Sequence, residues 1–219
     1  MNNKLVLLFV FMGISFATWC QSSKVFNDLG IIIGTGVSHH QGWGIWEPAF
    51  GFMVGIETNV YYFNERSTIK AGILFTKQEG PNYKIISNDG YSNSTTIQSQ
   101  GNASLYYVNF PLLYQFRGRK GFYLEGGVQP GILIIARIDA EDGNSTNAGE
   151  SFKTFDVGVP VGIGYCFNDR ICIGTRAVFG LTDINSADAF EEVPEVFRDA
   201  LDYTDRSVLL MVVVKFKFR

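Results

Sequence analysis

Between residues 50 and 62 the chain alternates. Phe50, Phe52, Val54, Ile56, Thr58, Val60 and Tyr62 form one set, and Gly51, Met53, Gly55, Glu57, Asn59 and Tyr61 form the other. A strand sends successive side chains to opposite faces, so the pattern predicts one apolar face and one mixed, glycine-rich face. Seven further segments repeat it, at residues 29–38, 67–77, 103–116, 122–137, 153–167, 171–181 and 207–218. In 67–77, Ile69, Ala71, Ile73 and Phe75 alternate with Lys70, Gly72, Leu74 and Thr76. In 122–137, Leu124, Val128, Ile132 and Ile134 oppose Glu125, Gly127, Gln129, Gly131 and Arg137. The last segment sets Val208, Leu210, Val212, Val214, Phe216 and Phe218 against Leu209, Met211, Val213, Lys215 and Lys217.

The connections alternate as well. Residues 63–66, 117–121 and 168–170 are of hairpin length, whereas 39–49, 78–102, 138–152 and 182–206 are long and polar. Short turns at one end and long loops at the other mark an outer-membrane barrel, and each segment exceeds the ~9–11 residues a tilted strand needs to cross the apolar layer. The predicted fold is therefore all-β: an eight-stranded antiparallel up-and-down transmembrane β-barrel, with both termini on the periplasmic, short-turn side. The rings sort accordingly. Tyr62, Phe63, Tyr114, Phe116, Phe122, Tyr165, Phe167, Phe216 and Phe218 fall at short-turn ends, and Phe50, Phe52, Phe75, Tyr106, Phe155 and Phe179 toward the long loops. Two girdles of this kind belong at the two faces of a bilayer. A soluble eight-stranded carrier barrel would also alternate, but it would turn its glycines to water, where they weaken a strand and pack against nothing.

Composition narrows the class further. With 46% hydrophobic and 18% charged residues the chain is too apolar for disorder. Its 24 Gly, 19 Phe and 10 Tyr disfavour a helix bundle. A net charge of −3 offers no footprint for nucleic acid. Residues 1–20 read as a signal peptide, with Lys4, an apolar run over 5–16 too short to span a bilayer, and Thr18 and Cys20 preceding cleavage before Gln21. A lipoprotein would instead acylate Cys20, against which Trp19 counts, since a small residue normally stands there. Residues 21–219 then form the barrel domain, exported to the outer membrane. Its two cysteines, Cys166 and Cys172, reach a compartment where disulfides persist.

Two stretches resemble the PorT-like outer-membrane β-barrel family of Gram-negative bacteria. Residues 105–134 share its aromatic strand, central proline, short turn and glycine-rich strand. In residues 155–185, Asp156, Gly158, Gly162, Gly164, Arg176, Gly180 and Leu181 match its D-x-G, G-x-G, R and G-L run. Asn109 departs from it, standing where members often carry an acid, and Arg219 follows the aromatic on which such chains usually end. The resemblance implies location and fold; some relatives are linked to protein secretion across the outer membrane.

The inward face collects charge of both signs. An eight-stranded interior is only wide enough for side chains, so these charges must pair. The expected lumen ion-pair network comprises Glu57, Lys70, Glu125, Arg137, Asp156 and Arg176, centred on Asp156, Arg176 and Glu125, with Lys215 and Lys217 on the same face. A three-residue turn puts Cys166 opposite Cys172, both inward, as a candidate disulfide. Val212, Val214, Phe216 and Phe218 resemble the C-terminal signal read by the barrel-insertion machinery.

Ser38 with His39 and His40 at a strand end is a weak hydrolase constellation, because adjacent strand residues face opposite ways. Trp43 and Trp46 suit the lipid interface or a partner. Residues 83–87 and 95–99 would extend a hairpin past the membrane, and Pro194 would open a short helix with Val196, Phe197, Ala200 and Leu201 on one side. No catalytic, cofactor-binding or metal site is predicted. The expected function is a structural or interaction role, accessory to transport or secretion. A narrow porin-like channel, a rim-located lipid-modifying enzyme and a soluble carrier are the alternatives. The expected partners are outer-membrane lipids, the barrel-assembly machinery during insertion and an extracellular or periplasmic protein, the chain itself being a monomer.

Overall fold

The computed structural model describes residues 28–40, 49–88, 95–140, 145–147, 149, 152–183 and 206–218. Their strands are β1 Gly30–His40, β2 Ala49–Tyr62, β3 Ser67–Asn88, β4 Thr95–Asn109, β5 Leu112–Arg117, β6 Phe122–Ala140, β7 Ser145–Asn147, β8 Phe155–Cys166, β9 Ile171–Gly180 and β10 Ser207–Lys217. β4 and β5 are one stave interrupted at Phe110 and Pro111, since β3 and β6 each pair with both. β7 adds a short rung to β6. The other pairings pass from β1 through β2, β3, β4/β5, β6, β8 and β9 to β10, which pairs again with β1. This is the closed eight-stranded antiparallel barrel that the alternation predicts, and closure removes the edges an open sheet would expose.

Adjacent residues show which way the wall faces. Ile32 is 1% exposed and its neighbour Ile33 50%. The outward set includes Val54, Ile56, Ile73, Leu112, Ile163 and Val212, all exposed. Rings flank this apolar band. At the short-turn end Tyr61 meets Phe63 with centroids 4.9 Å apart, and Tyr165 meets Phe122 at 5.0 Å and Phe167 at 5.1 Å. Toward the long loops, Phe75 lies 5.9 Å from both Phe52 and Tyr106.

The interior is not lined with charge and glycine throughout. Ile32, Met53, Leu74, Val178, Leu209, Met211 and Val213 form one buried apolar cluster. Ala103, Leu105, Tyr107, Ala136, Ile138 and Phe152 form a second, nearer the long-loop end of β4 and β6. Lumen glycines make space for side chains crossing from neighbouring strands. A Cβ on Gly164 or on Gly174 would stand 2.5 Å from the Tyr123 hydroxyl, so β8 and β9 must be bare there.

Two irregularities mark the wall. Tyr106 pairs with Ile135 and Tyr107 with Leu133, leaving Ile134 as a bulge in β6. Ile134 and Ile135 are both exposed, and the inward–outward parity is reversed beyond them. The second irregularity is a run of prolines on three consecutive staves. Pro111 accepts from Gly72 N–H and Pro130 from Phe110 N–H, but neither ring nitrogen has a hydrogen to return. Pro160 lies where β6 and β8 make no pair between Gly126–Val161 and Gln129–Gly158.

β3 and β4 run past their neighbours. They pair from Tyr83 with Gly101 to Asn88 with Thr95, whereas β2 leaves β3 at Gln78 and β6 leaves β4 at Gly101. This is the extended hairpin expected from residues 83–87 and 95–99.

Candidate functional site

The rows of the barrel explain how charges meet inside it. Glu125 on β6 is level with Gly162 on β8, which is level with Arg176 on β9. Because Gly162 has no side chain, the guanidinium and carboxylate meet across it; a Cβ there would lie 3.0 Å from Glu125 Cγ. Glu57 on β2 is likewise flanked by Gly30 on β1 and Gly72 on β3. Each buried acid thus sits in a row cleared by glycine.

Arg176 is fully buried and holds both acids. Its Nε and Nη2 donate to Glu125 Oε1 at 3.0 and 2.7 Å. Nη2 also lies 2.7 Å from Glu57 Oε1. Lys215 Nζ donates to Glu125 Oε2 at 2.6 Å, and Lys70 Nζ to Glu57 Oε2 at 2.8 Å. Gln115 Nε2 adds a hydrogen bond of 3.3 Å to Glu125 Oε2. Lys215 Nζ stands 4.9 Å from the Tyr123 ring centroid, a cation–π contact. Three cations therefore share two carboxylates.

Toward the short-turn mouth, Asn59 Nδ2 donates to Asp28 Oδ2 at 2.7 Å, and the Tyr62 hydroxyl also donates to that oxygen. Burial disfavours the Asp28 carboxylate, but these bonds and the charges of Lys217 and Arg117 outweigh it. Its pKa lies below the usual carboxylate range.

The structure brings together Glu57, Lys70, Glu125 and Arg176 of the expected network and adds Lys215. Two expected members lie elsewhere. Arg137 is exposed on the outer face, because the Ile134 bulge turned it there. Asp156 does face inward, but it is level with Gly131, six residues along β8 from the Arg176 row, or about 20 Å at strand rise. It accepts from the Thr182 hydroxyl instead. The centre is Arg176 with Glu57 and Glu125, not Asp156.

Cys166 and Cys172 are joined by a disulfide across the β8–β9 turn. Peptide mapping of unreduced, alkylated protein should recover the two cysteines linked; recovering both alkylated would reject the bond. With a sequence separation of 6 the loop is short and the stabilisation modest.

At the long-loop end the Ser38 hydroxyl donates to Glu79 C=O at 2.6 Å and accepts from Glu79 N–H at 3.1 Å. Those two bonds commit it to the β3 backbone, so Ser38 and His39 do not form a nucleophile–base pair. Among the described residues no group of three metal-ligating side chains converges. Val212, Phe216 and Phe218 are exposed on the outer wall of the last strand, with Val214 between them. The signal peptide, Trp43, Trp46 and the helix expected after Pro194 lie outside the described residues, as does the side chain of His40.

The chain matches the model of the outer membrane protein beta-barrel domain over residues 22–186. No curated protein matches its sequence. Among solved structures it is similar to Neisserial surface protein A, with TM-score 0.54 and 14% identity over 90% of this chain and 100% of that one. A major outer membrane protein from Thermus thermophilus follows, with TM-score 0.46 and 10% identity over 87% and 98%. The attachment invasion locus protein of Yersinia pestis, in complex with the heparin analogue sucrose octasulfate, has TM-score 0.45 and 12% identity over 87% and 97%. The first of these likenesses supports the eight-stranded barrel fold.

Proposed function

From the premise that this chain belongs to the outer membrane protein beta-barrel domain family and resides in the outer membrane, we propose that it is a closed, non-conducting barrel with a structural or interaction role. The observation that carries the reading is the filled lumen. An ion-paired layer around Arg176 and a buried apolar cluster from Ile32 to Val213 lie across the same narrow cylinder. An ion crossing it would shed its hydration against Leu74, Met53 and Met211, where the buried polar side chains level with them, Asn109 and Thr76, are already hydrogen-bonded to each other. Work is then done at the ends, where loops on a rigid scaffold commonly bind.

The resemblance of residues 105–134 and 155–185 to PorT-like barrels favours an accessory part in transport or secretion through a protein partner, with the barrel itself a monomer in lipid. Insertion by the barrel-assembly machinery through the last strand belongs to the same proposal. In planar bilayers the purified barrel should give no discrete conductance steps. Reproducible steps of uniform size would overturn the closed reading in favour of a channel.

A further inference from the structure

The charge balance of the lumen does not close at its periplasmic end. Below the Arg176 layer, Arg117 on β5 and Lys217 on β10 both fall on the inward parity of their strands. These two staves lie on opposite sides of the ring, four steps apart in either direction. Long side chains from opposite walls of an eight-stranded barrel reach the same space. Lys217 and Arg117 repel each other electrostatically, and both act on Asp28.

In the layer above, Arg176, Lys70 and Lys215 face Glu57 and Glu125. Among the described residues of these two layers, five inward cations therefore answer to three carboxylates. Arg176 Nη1, fully buried, has no hydrogen-bond partner among them. Confined cations carry a heavy desolvation cost unless counter-charge accompanies them.

We propose that the periplasmic mouth of the lumen binds an oxyanion, a phosphate or carboxylate group held between Lys217 and Arg117 below the Arg176 layer. Entry is from the short-turn side, because Arg117 and Lys217 stand at the short-turn ends of β5 and β10, with the Arg176 layer between them and the rest of the lumen. The shared chemistry is a compact group with two or more anionic oxygens. A guanidinium fork takes such a group bidentately and an ammonium takes it as a point charge. A soluble periplasmic anion and a phospholipid headgroup folded into the mouth both present it.

The test uses the full barrel in nonionic detergent, read by the temperature at which its gel mobility changes from folded to unfolded. Sodium phosphate should raise that midpoint by several degrees over sodium chloride at the same ionic strength, since a ligand of the folded state alone stabilises it. The Arg117→Gln/Lys217→Gln double variant should lose the increment, and Lys217→Arg should keep it. Should the double variant fail to assemble, Lys217→Gln alone, expected to lose most of the shift, decides. Equal midpoints in phosphate and chloride for the unaltered barrel would overturn the proposal, as would an undiminished phosphate shift in the Gln variants. In nanodiscs of phosphatidylglycerol, loss of the further phosphate shift assigns the site to a lipid headgroup. Its persistence there assigns the site to a soluble anion.

Discussion

Arg176→Met should cost about 3–5 kcal/mol, the scale for removing one partner from a buried, hydrogen-bonded ion network. The variant keeps most of the side chain's bulk and loses its charge and its forked donors. Glu57 and Glu125, both nearly inaccessible, are then left with the cations Lys70 and Lys215 and the amide of Gln115. Replacing a whole buried pair by apolar residues is often neutral, so the loss expected here comes from stranding the acids. Arg176→Lys restores a charge without a fork that can serve two carboxylates at 2.7 Å, and should recover only part of the stability. The measurement is the unfolding midpoint of the barrel in detergent. An unchanged midpoint in Arg176→Met would dispose of the network as a stabilising element.

Deleting residues 216–219 should abolish assembly. Phe216 pairs with Ile31 on one side and Ile171 on the other, and Lys217 with Gly30. Lys217 N–H donates to Arg170 C=O and Phe218 N–H to Leu29 C=O, both at the rim. The truncation removes the end of the one strand that joins the first part of the chain to the last. It leaves backbone groups of β1 and β9 at the short-turn rim without strand partners and reopens an edge that a barrel in lipid must keep closed. It also removes the aromatic positions through which Val212, Val214, Phe216 and Phe218 are proposed to be recognised. Cells expressing the truncated chain should yield no heat-modifiable band in the outer-membrane fraction. A folded band at the usual level would refute both the closure argument and the insertion signal.

The wall was legible in the sequence because a strand in lipid has a period of two and nothing else to satisfy. Eight segments, their turns and their girdle rings follow from that period. The interior was only half legible. Periodicity assigns a face, not a height. Asp156 and Arg176 share the lumen yet stand six residues apart along it. Lys215 was on the correct face and its closeness to Glu125 came from the stagger of the ring, which no single segment encodes. Leu74, Met53 and Met211 stood in the inward set all along, but their joining into one apolar layer also depends on stagger. Arg137 lies on the outer face for a different reason. One inserted residue, Ile134, reverses every face beyond it, and Leu133, Ile134 and Ile135 form an apolar run with no mark of a bulge. The glycines at 162, 72 and 30 did carry a signal. Bare positions beside an acid in the register of the neighbouring strand show where a long cation crosses.

The prolines give the cylinder a preferred way to yield. Pro111, Pro130 and Pro160 each leave a rivet out of one of three consecutive seams, between β3 and β5, between the β4/β5 stave and β6, and between β6 and β8. The opposite arc, β9 to β10 to β1 to β2, is riveted without interruption along its register. A tube weakened on one side does not soften evenly. Under lateral pressure from the bilayer it flattens along the proline arc first, while the rigid arc, which carries Arg176 and Glu57, keeps its curvature.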